Sequence, residues 1–212
     1  MMRASLPVDR LLTAMGLASL ALILGALGFQ YLGGIAPCEM CHWQRWPHFG
    51  VAAAGLVVTP LWASRLRLPL MLLTALVAGA ALIAACYWGI LKGQLPEILA
   101  LTIAAMLAAI IAALAASLRT ESLLAVAVAA ILLVALSGVI GLYQTGMQWH
   151  LLPGPSACTV DHPYVLGSNA PPPVVRCDAL DPILFGQTLA FYNALCSFLI
   201  AGLSTVLLRK SA

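Results

Sequence analysis

The chain has 212 residues, of which 63% are hydrophobic and only 8% charged. Soluble domains carry closer to a quarter charged residues, so this composition excludes an ordinary water-soluble fold and indicates a chain built for lipid. The formal net charge of +3 is too small to suggest nucleic acid as a partner, and six cysteines leave room for two disulfides and two free thiols.

The first apolar run, Leu11 to Gly33, has over 20 residues without a charge, enough for a helix across about 30 Å of hydrocarbon. Arg3 and Arg10 before it also fit a signal peptide, but the run is long for one and stays bulky to its end. It is read as a retained span. The second run, His48 to Ser64, is about 17 residues and reaches a working length only with Trp43 to Pro47 in the interface, where tryptophan is at home. The third, Leu68 to Leu91, ends in the interface markers Tyr87 and Trp88. The fourth, Pro96 to Leu118, starts on a proline, tolerated in the first turn because that N–H lacks an intrahelical partner anyway.

The fifth run, Ser122 to Gln144, precedes the one long connection, residues 145–182, which holds Pro153, Pro155, Pro163 and the triplet Pro171 to Pro173. The sixth, Ile183 to Leu208, is closed by Arg209 and Lys210. The expectation is an all-α integral membrane protein, a single domain over 1–212 with six spans, at about 11–33, 48–64, 68–91, 96–118, 122–144 and 183–208. Loops 34–47 and 145–182 carry four of the cysteines.

Cation placement sets the expected orientation. Arg3, Arg10, Arg65, Arg67, Arg119, Arg209 and Lys210 lie at one set of ends, against Arg45, Lys92 and Arg176 at the other. Both termini are therefore expected in the cytoplasm and both cysteine loops outside. Cys38, Cys41, Cys158 and Cys177 then lie where disulfides persist, whereas Cys86 and Cys196 sit inside spans and are read as small hydrophobes.

The stretch Pro37-Cys38-Glu39-Met40-Cys41-His42-Trp43-Gln44-Arg45-Trp46-Pro47 admits several chemistries. Cys38-x-x-Cys41-His42 matches the covalent haem motif, which would make a membrane-anchored c-type electron carrier, although Cys158 and Cys177 would then have no role. A four-cysteine zinc site lacks a second close pair, since Cys177 comes 19 positions after Cys158. Two structural disulfides are a third reading. The fourth is redox chemistry: if a helix starts near Cys41, Arg45 lies one turn on, on the same face. A helix N-terminus and a guanidinium both favour a thiolate at Cys41. Arg45 could equally be an interfacial anchor.

Phe29-Gln30-Tyr31 with Gly33-Gly34, then Pro37-Cys38-x-x-Cys41-x-x-Gln44-Arg45-Trp46-Pro47, resemble the first outer loop of the disulfide bond formation protein B (DsbB) family. Tyr143-Gln144-x-Gly146-x-Gln148-Trp149 and Pro153-Gly154-Pro155-Ser156-Ala157-Cys158 are similar to its approach to the third cysteine. Cys177-Asp178, Phe185-Gly186 and Leu189-Ala190-x-Tyr192-Asn193 are similar to its fourth cysteine and last span. The resemblance covers roughly residues 11–67 and 120–208.

It implies a bacterial inner-membrane protein-dithiol:quinone oxidoreductase. Such an enzyme reoxidises a periplasmic thioredoxin-fold dithiol oxidase of the DsbA type and passes electrons to ubiquinone or menaquinone, with no metal expected. By resemblance, Cys38 and Cys41 are the quinone-coupled pair, Cys158 and Cys177 the pair that meets the partner, and Arg45 the arginine beside the quinone. The family usually has four spans. The two additional ones, about residues 68–118, form an even insertion that leaves both cysteine loops outside, and their expected role is packing. Some relatives carry a histidine before the third cysteine; here that neighbourhood offers Gln144 and His150, which with Gln44 complete the expected quinone contacts.

Overall fold

The computed structural model describes residues 7–62, 69, 73, 80, 97–120, 123–155, 176–179 and 185–211. Five α-helices lie among them: α1 (Val8–Tyr31), α2 (Glu39–Ala53), α3 (Glu97–Thr120), α4 (Leu123–Gln148) and α5 (Leu189–Ser211). Among the described residues, three helices are long and apolar enough to cross a membrane: α1, α4, and Leu189–Lys210 of α5. The third expected span and the long loop around Cys158 fall almost wholly outside the described residues, so the count of six is not shown. An all-helical membrane protein is.

The central helix is α4. Half of its apolar window is buried, against 33% for α1 and 28% for α5, and α1, α2, α3 and α5 all pack on it. Small residues on α4, Ala127, Ala130 and Gly138 among them, let these neighbours approach closely. On the outer helices the large apolar side chains point away from the bundle. Leu17 and Leu24 of α1 and Leu199 and Leu203 of α5 are all more than half exposed, a pattern that suits lipid and would be an aggregation hazard in water.

α1 ends where Leu32 and Gly33 both donate to the Gly28 carbonyl and Gly34 turns left-handed at φ 69°. A side chain there would be strained. The following helix starts at Glu39, ahead of the expected span start at His48 and close to the helix start near Cys41 that the redox reading assumed, so Trp43 to Pro47 are helical. The reason is local: Cys38 is an extended N-cap whose sulfur accepts from the Cys41 N–H at 3.3 Å. Pro47 is tolerated within α2 although its ring removes one intrahelical bond. Ser137 Oγ of α4 donates to the nearby Gln44 carbonyl at 2.8 Å.

Beyond Ala53 the helix widens into a π-turn, Ala54–Val58, where it crosses α1. A Cβ on Gly55 would come within 2.3 Å of the Leu12 carbonyl oxygen, so only glycine permits this crossing. The last helix begins at Leu189, later than the expected 183, because Phe185 and Gly186 are left-handed at φ 47° and 74°. Thr188 then caps α5, its Oγ1 accepting from the Phe191 N–H at 3.5 Å.

Candidate active site

The α2 N-terminus brings Cys38 and Cys41 together. Their sulfurs are 2.8 Å apart and both cysteines are free, so a proton on either can be shared with the other. The two thiols differ sharply. Cys41 is lowered from the ordinary 9.0 to about 6, chiefly by the hydrogen bond from the Cys38 thiol. Burial opposes that shift, while the Gln144 amide, the backbone and the Arg45 charge assist it in that order. Cys38 is raised, first by its bond to Cys41 and then by burial. Cys41 is thus the thiolate and Cys38 holds the proton. The arginine expected to favour the thiolate does so, but the neighbouring thiol does more.

Gln144 of α4 sits behind the pair, 2% exposed. Its Nε2 donates to Cys38 Sγ at 3.2 Å and, more weakly, to Cys41 Sγ at 3.7 Å. Its Oε1 accepts from Gln44 Nε2, whose own Oε1 accepts from Asn193 Nδ2 at 2.9 Å. A third bond joins Gln144 Nε2 to the Cys177 carbonyl at 3.3 Å, so one amide touches both cysteine regions.

Cys177 is disulfide-bonded and fully buried, and as a disulfide sulfur it is not available as a thiolate ligand to zinc. Its expected partner, Cys158, lies outside the described residues, as does Cys86. One turn along α4, Gln148 Nε2 donates to the Ala179 carbonyl at 3.3 Å and Gln148 Oε1 accepts from Thr188 at 2.6 Å. Gln144 and Gln148 therefore hold alternate carbonyls of residues 177–179 against α4. Arg176 and Asp178 form a two-bond ion pair at 3.0 and 2.8 Å outside this clamp.

A cavity of about 230 Å³ opens between α1, α2 and α5. Its wall is mostly apolar, with Phe29, Leu22 and Leu189, and its polar groups include Cys41, Gln44, Arg45 and Gln30. Such a wall, apolar with a few placed polar groups, is the usual form of a small-molecule site. Arg45 Nη1 donates to Gln30 Oε1 at 2.6 Å, which ties the guanidinium to α1 at the cavity that Cys41 also lines. Of the four expected quinone contacts, Arg45 and Gln44 line the cavity and Gln144 lies behind it. His150 does not join them; it is exposed, left-handed at φ 57° in the turn after α4, on the side of Asp178.

The family model for disulfide bond formation protein DsbB matches residues 9–98 and 98–207. The chain belongs to the DsbB family. No curated protein and no solved structure matches it. As a DsbB family member it is a membrane disulfide-bond oxidoreductase.

Several residues around the cysteine pair carried no separate signal in the motifs. Gln30 and Asn193 were visible only as parts of motifs, and His48, Ser137 and Ser197 only as polar residues inside apolar runs. That last property is itself a pointer, because polar groups within spans are costly and turn toward the bundle.

Proposed function

We propose that this protein reoxidises a periplasmic thioredoxin-fold dithiol oxidase of the DsbA type and delivers the electrons to a membrane quinone, from the bacterial inner membrane with both termini cytoplasmic. The observation that carries this reading is the cavity in which the low-pKa Cys41 and the Gln30-held Arg45 share one apolar wall. The orientation is supported by the cation bias, and the outward cations are largely engaged: Arg176 is paired with Asp178 and Arg45 with Gln30.

The reaction is thiol–disulfide exchange in series. Cys177 is fully buried, so the partner's thiolate attacks the other sulfur of its disulfide, expected to be Cys158. That S–S bond breaks and Cys177 leaves as a thiolate. The partner's second thiol displaces Cys158, so the partner is oxidised and Cys158 and Cys177 become thiols. A thiolate of this pair then attacks the oxidised Cys38–Cys41 bond, and its own disulfide re-forms as Cys38 and Cys41 take up two electrons and two protons. Gln144 holds Cys38 and the Cys177 backbone together for this second exchange.

Cys41 then faces the cavity as a thiolate, Cys38 keeps the proton, and Arg45 places a positive charge where negative charge develops. A quinone bound there supplies the two-electron oxidant that lets the Cys38–Cys41 bond re-form. The test is quinone reduction by the purified protein with a reduced periplasmic dithiol oxidase as donor. Turnover that needs both donor and quinone is the expected result; oxidation of the donor with no quinone dependence would overturn the reading.

A further inference from the structure

The hydrogen bonds at the thiol pair do not stop at Gln144. They run inward through Gln44 and Asn193 to His48, which is 2% exposed in the middle of the bundle. Asn193 Oδ1 lies 3.2 Å from His48 Nε2, Ser197 Oγ lies 3.2 Å from the same nitrogen, and Ser19 Oγ lies 3.2 Å from Nδ1. The chain draws on four helices: Ser19 from α1, Gln44 and His48 from α2, Gln144 from α4, Asn193 and Ser197 from α5.

The direction of every link follows from the last one. An amide has one donor end and one acceptor end, and in a dry interior each must face its complement. When His48 donates from Nε2 to Asn193 Oδ1, Asn193 must present Nδ2 outward, where it meets Gln44 Oε1 at 2.9 Å and Ser137 Oγ at 3.0 Å. Gln44 must then present Nε2 to Gln144 Oε1. Gln144 is left with its N–H groups toward Cys38 Sγ, Cys41 Sγ and the Cys177 carbonyl. The Gln144 oxygen is itself 4.0 Å from Cys41 Sγ, so the register matters most at Cys38: reversing Gln144 would set that oxygen against Cys38 Sγ and the Cys177 carbonyl, where an N–H now donates.

We infer that His48 is a positioning residue for the thiol chemistry: bound as the neutral Nε2–H tautomer with Ser19 donating to Nδ1, it fixes the register of three successive amides and so aims an N–H donor at the Cys38–Cys41 pair from the opposite end of the chain. The inference rests on Cys38 and Cys41 being the redox pair, but not on the partner or the quinone. Among the described residues, the titratable and charged groups around Cys41 are Cys38, Arg45 and the exposed Glu39 and His42 on its own segment, and Tyr192 and Cys196 of α5 across the cavity. The hydrogen-bond partners of His48, namely Ser19, Asn193 and Ser197, are all uncharged, so its influence passes through hydrogen-bond direction and not through a field.

The experiment reads Cys41 directly. The purified, reduced full-length protein, without quinone or partner, is alkylated with iodoacetamide across pH 4 to 10, and the rate at Cys41 is followed by peptide mass spectrometry. His48→Leu removes the anchor, and the Cys41 midpoint is expected to rise by about one pH unit, a tenfold loss of thiolate below the midpoint. His48→Gln keeps a donor facing Asn193 and should restore most of the shift. Ser197→Ala leaves Asn193 as the Nε2 partner and should not raise the midpoint. Asn193→Leu cuts the same chain one link nearer the sulfurs and must raise the midpoint at least as far as His48→Leu; it decides the matter if His48→Leu does not fold by far-ultraviolet circular dichroism.

A folded His48→Leu or Asn193→Leu with a wild-type midpoint would overturn the inference. A His48→Gln midpoint as high as that of His48→Leu would also do so, reducing His48 to a packing residue. Because neither quinone nor partner is present, failure here leaves the proposed electron path standing, and failure of that path leaves this titration unaffected.

Discussion

Cys38 and Cys177 are both buried, at 4% and 0% exposure, and Gln144 touches both, yet by different kinds of contact. At the first region the contacts reach the sulfurs: a neighbouring thiol, an amide N–H, a backbone N–H and a guanidinium field all act on Cys38 or Cys41. At the second, the contacts that Gln144 and Gln148 make are to main-chain carbonyls, those of Cys177 and Ala179. Contacts to sulfur change how easily a thiol ionises, whereas contacts to carbonyls fix where a segment lies. The first region is therefore tuned and the second placed, and substitutions in the two should separate along that line.

The widest separation is between the cysteines themselves. Cys41→Ser removes the thiolate that faces the cavity, and steady quinone reduction should fall to background with a protein dithiol and a small dithiol alike. Cys177→Ser removes the bond that the partner attacks but leaves Cys38 and Cys41 in place. It should abolish turnover with the protein dithiol and keep slow turnover with the small one. Equal loss with both donors in both variants would erase the distinction between the regions.

Gln144→Leu strikes both regions at once, and Gln148→Leu only the second. Removing one hydrogen bond to a charged group costs about 1.5–3 kcal/mol, or roughly ten- to 150-fold in rate. Gln144→Leu should slow oxidation of the protein dithiol by that range and also raise the Cys41 alkylation midpoint. Gln148→Leu should slow oxidation by less than tenfold, since its bond is to a neutral carbonyl, about 0.5–1.5 kcal/mol, and should leave the midpoint where it is. A raised midpoint in Gln148→Leu would mean that the second region also tunes the thiol.

Arg45→Ala tests the cavity. The arginine is the smallest of the causes that lower Cys41, so the variant should raise the apparent quinone KM by roughly ten- to 150-fold with little change in the midpoint. Arg45→Lys keeps the charge without the planar donor fork that meets Gln30, and should recover only part of the loss. The pH profile sharpens the point. Because Cys41 is lowered to about 6, wild-type alkylation should be flat above about pH 7 and fall as pH drops through 6, where an ordinary thiol would already be silent. An Arg45→Ala profile displaced as far as that of Gln144→Leu would assign the arginine to the thiol and not to the cavity.

These contrasts also show what a sequence can and cannot disclose. The apolar runs marked α1, α4 and α5 because 20 or so uncharged residues have few folds open to them, and the cysteine loops with Arg45 marked the chemistry. Helix starts were less legible. Nothing in the composition says that Cys38 will cap α2, which moved its start from His48 to Glu39, or that Phe185 will go left-handed and delay α5. His150 looked like a site residue because it stands near the third cysteine in sequence, but the turn after Gln148 carries it away from the cavity. Gln30 and Asn193 could be placed only by packing, since their partners Arg45 and Gln44 lie on other helices.

The smallest effect should come from the ion pair beside Cys177. Arg176 and Asp178 are two residues apart and joined by two bonds, with side-chain exposures of 42% and 16%. Exposed pairs contribute about 0–1 kcal/mol because water competes for both partners, so Arg176→Ala should change oxidation of the protein dithiol by less than about fivefold. The Arg176 guanidinium, through its hydrogen bonds first, holds the Asp178 carboxyl below its usual range. The sign is that of a depressed acid: the pair's contribution is complete above the ordinary carboxylate pKa of about 3.9 and is lost only as pH falls through the lower folded value. Between pH 5 and 8 the pair stays ionised, so the pH profile in that window should be the same in Arg176→Ala as in wild type. Steady-state oxidation measured from pH 5 to 8 in both proteins checks this; a profile altered by Arg176→Ala would show that the ion pair acts on the sulfur chemistry, and that the second region is tuned as well as placed.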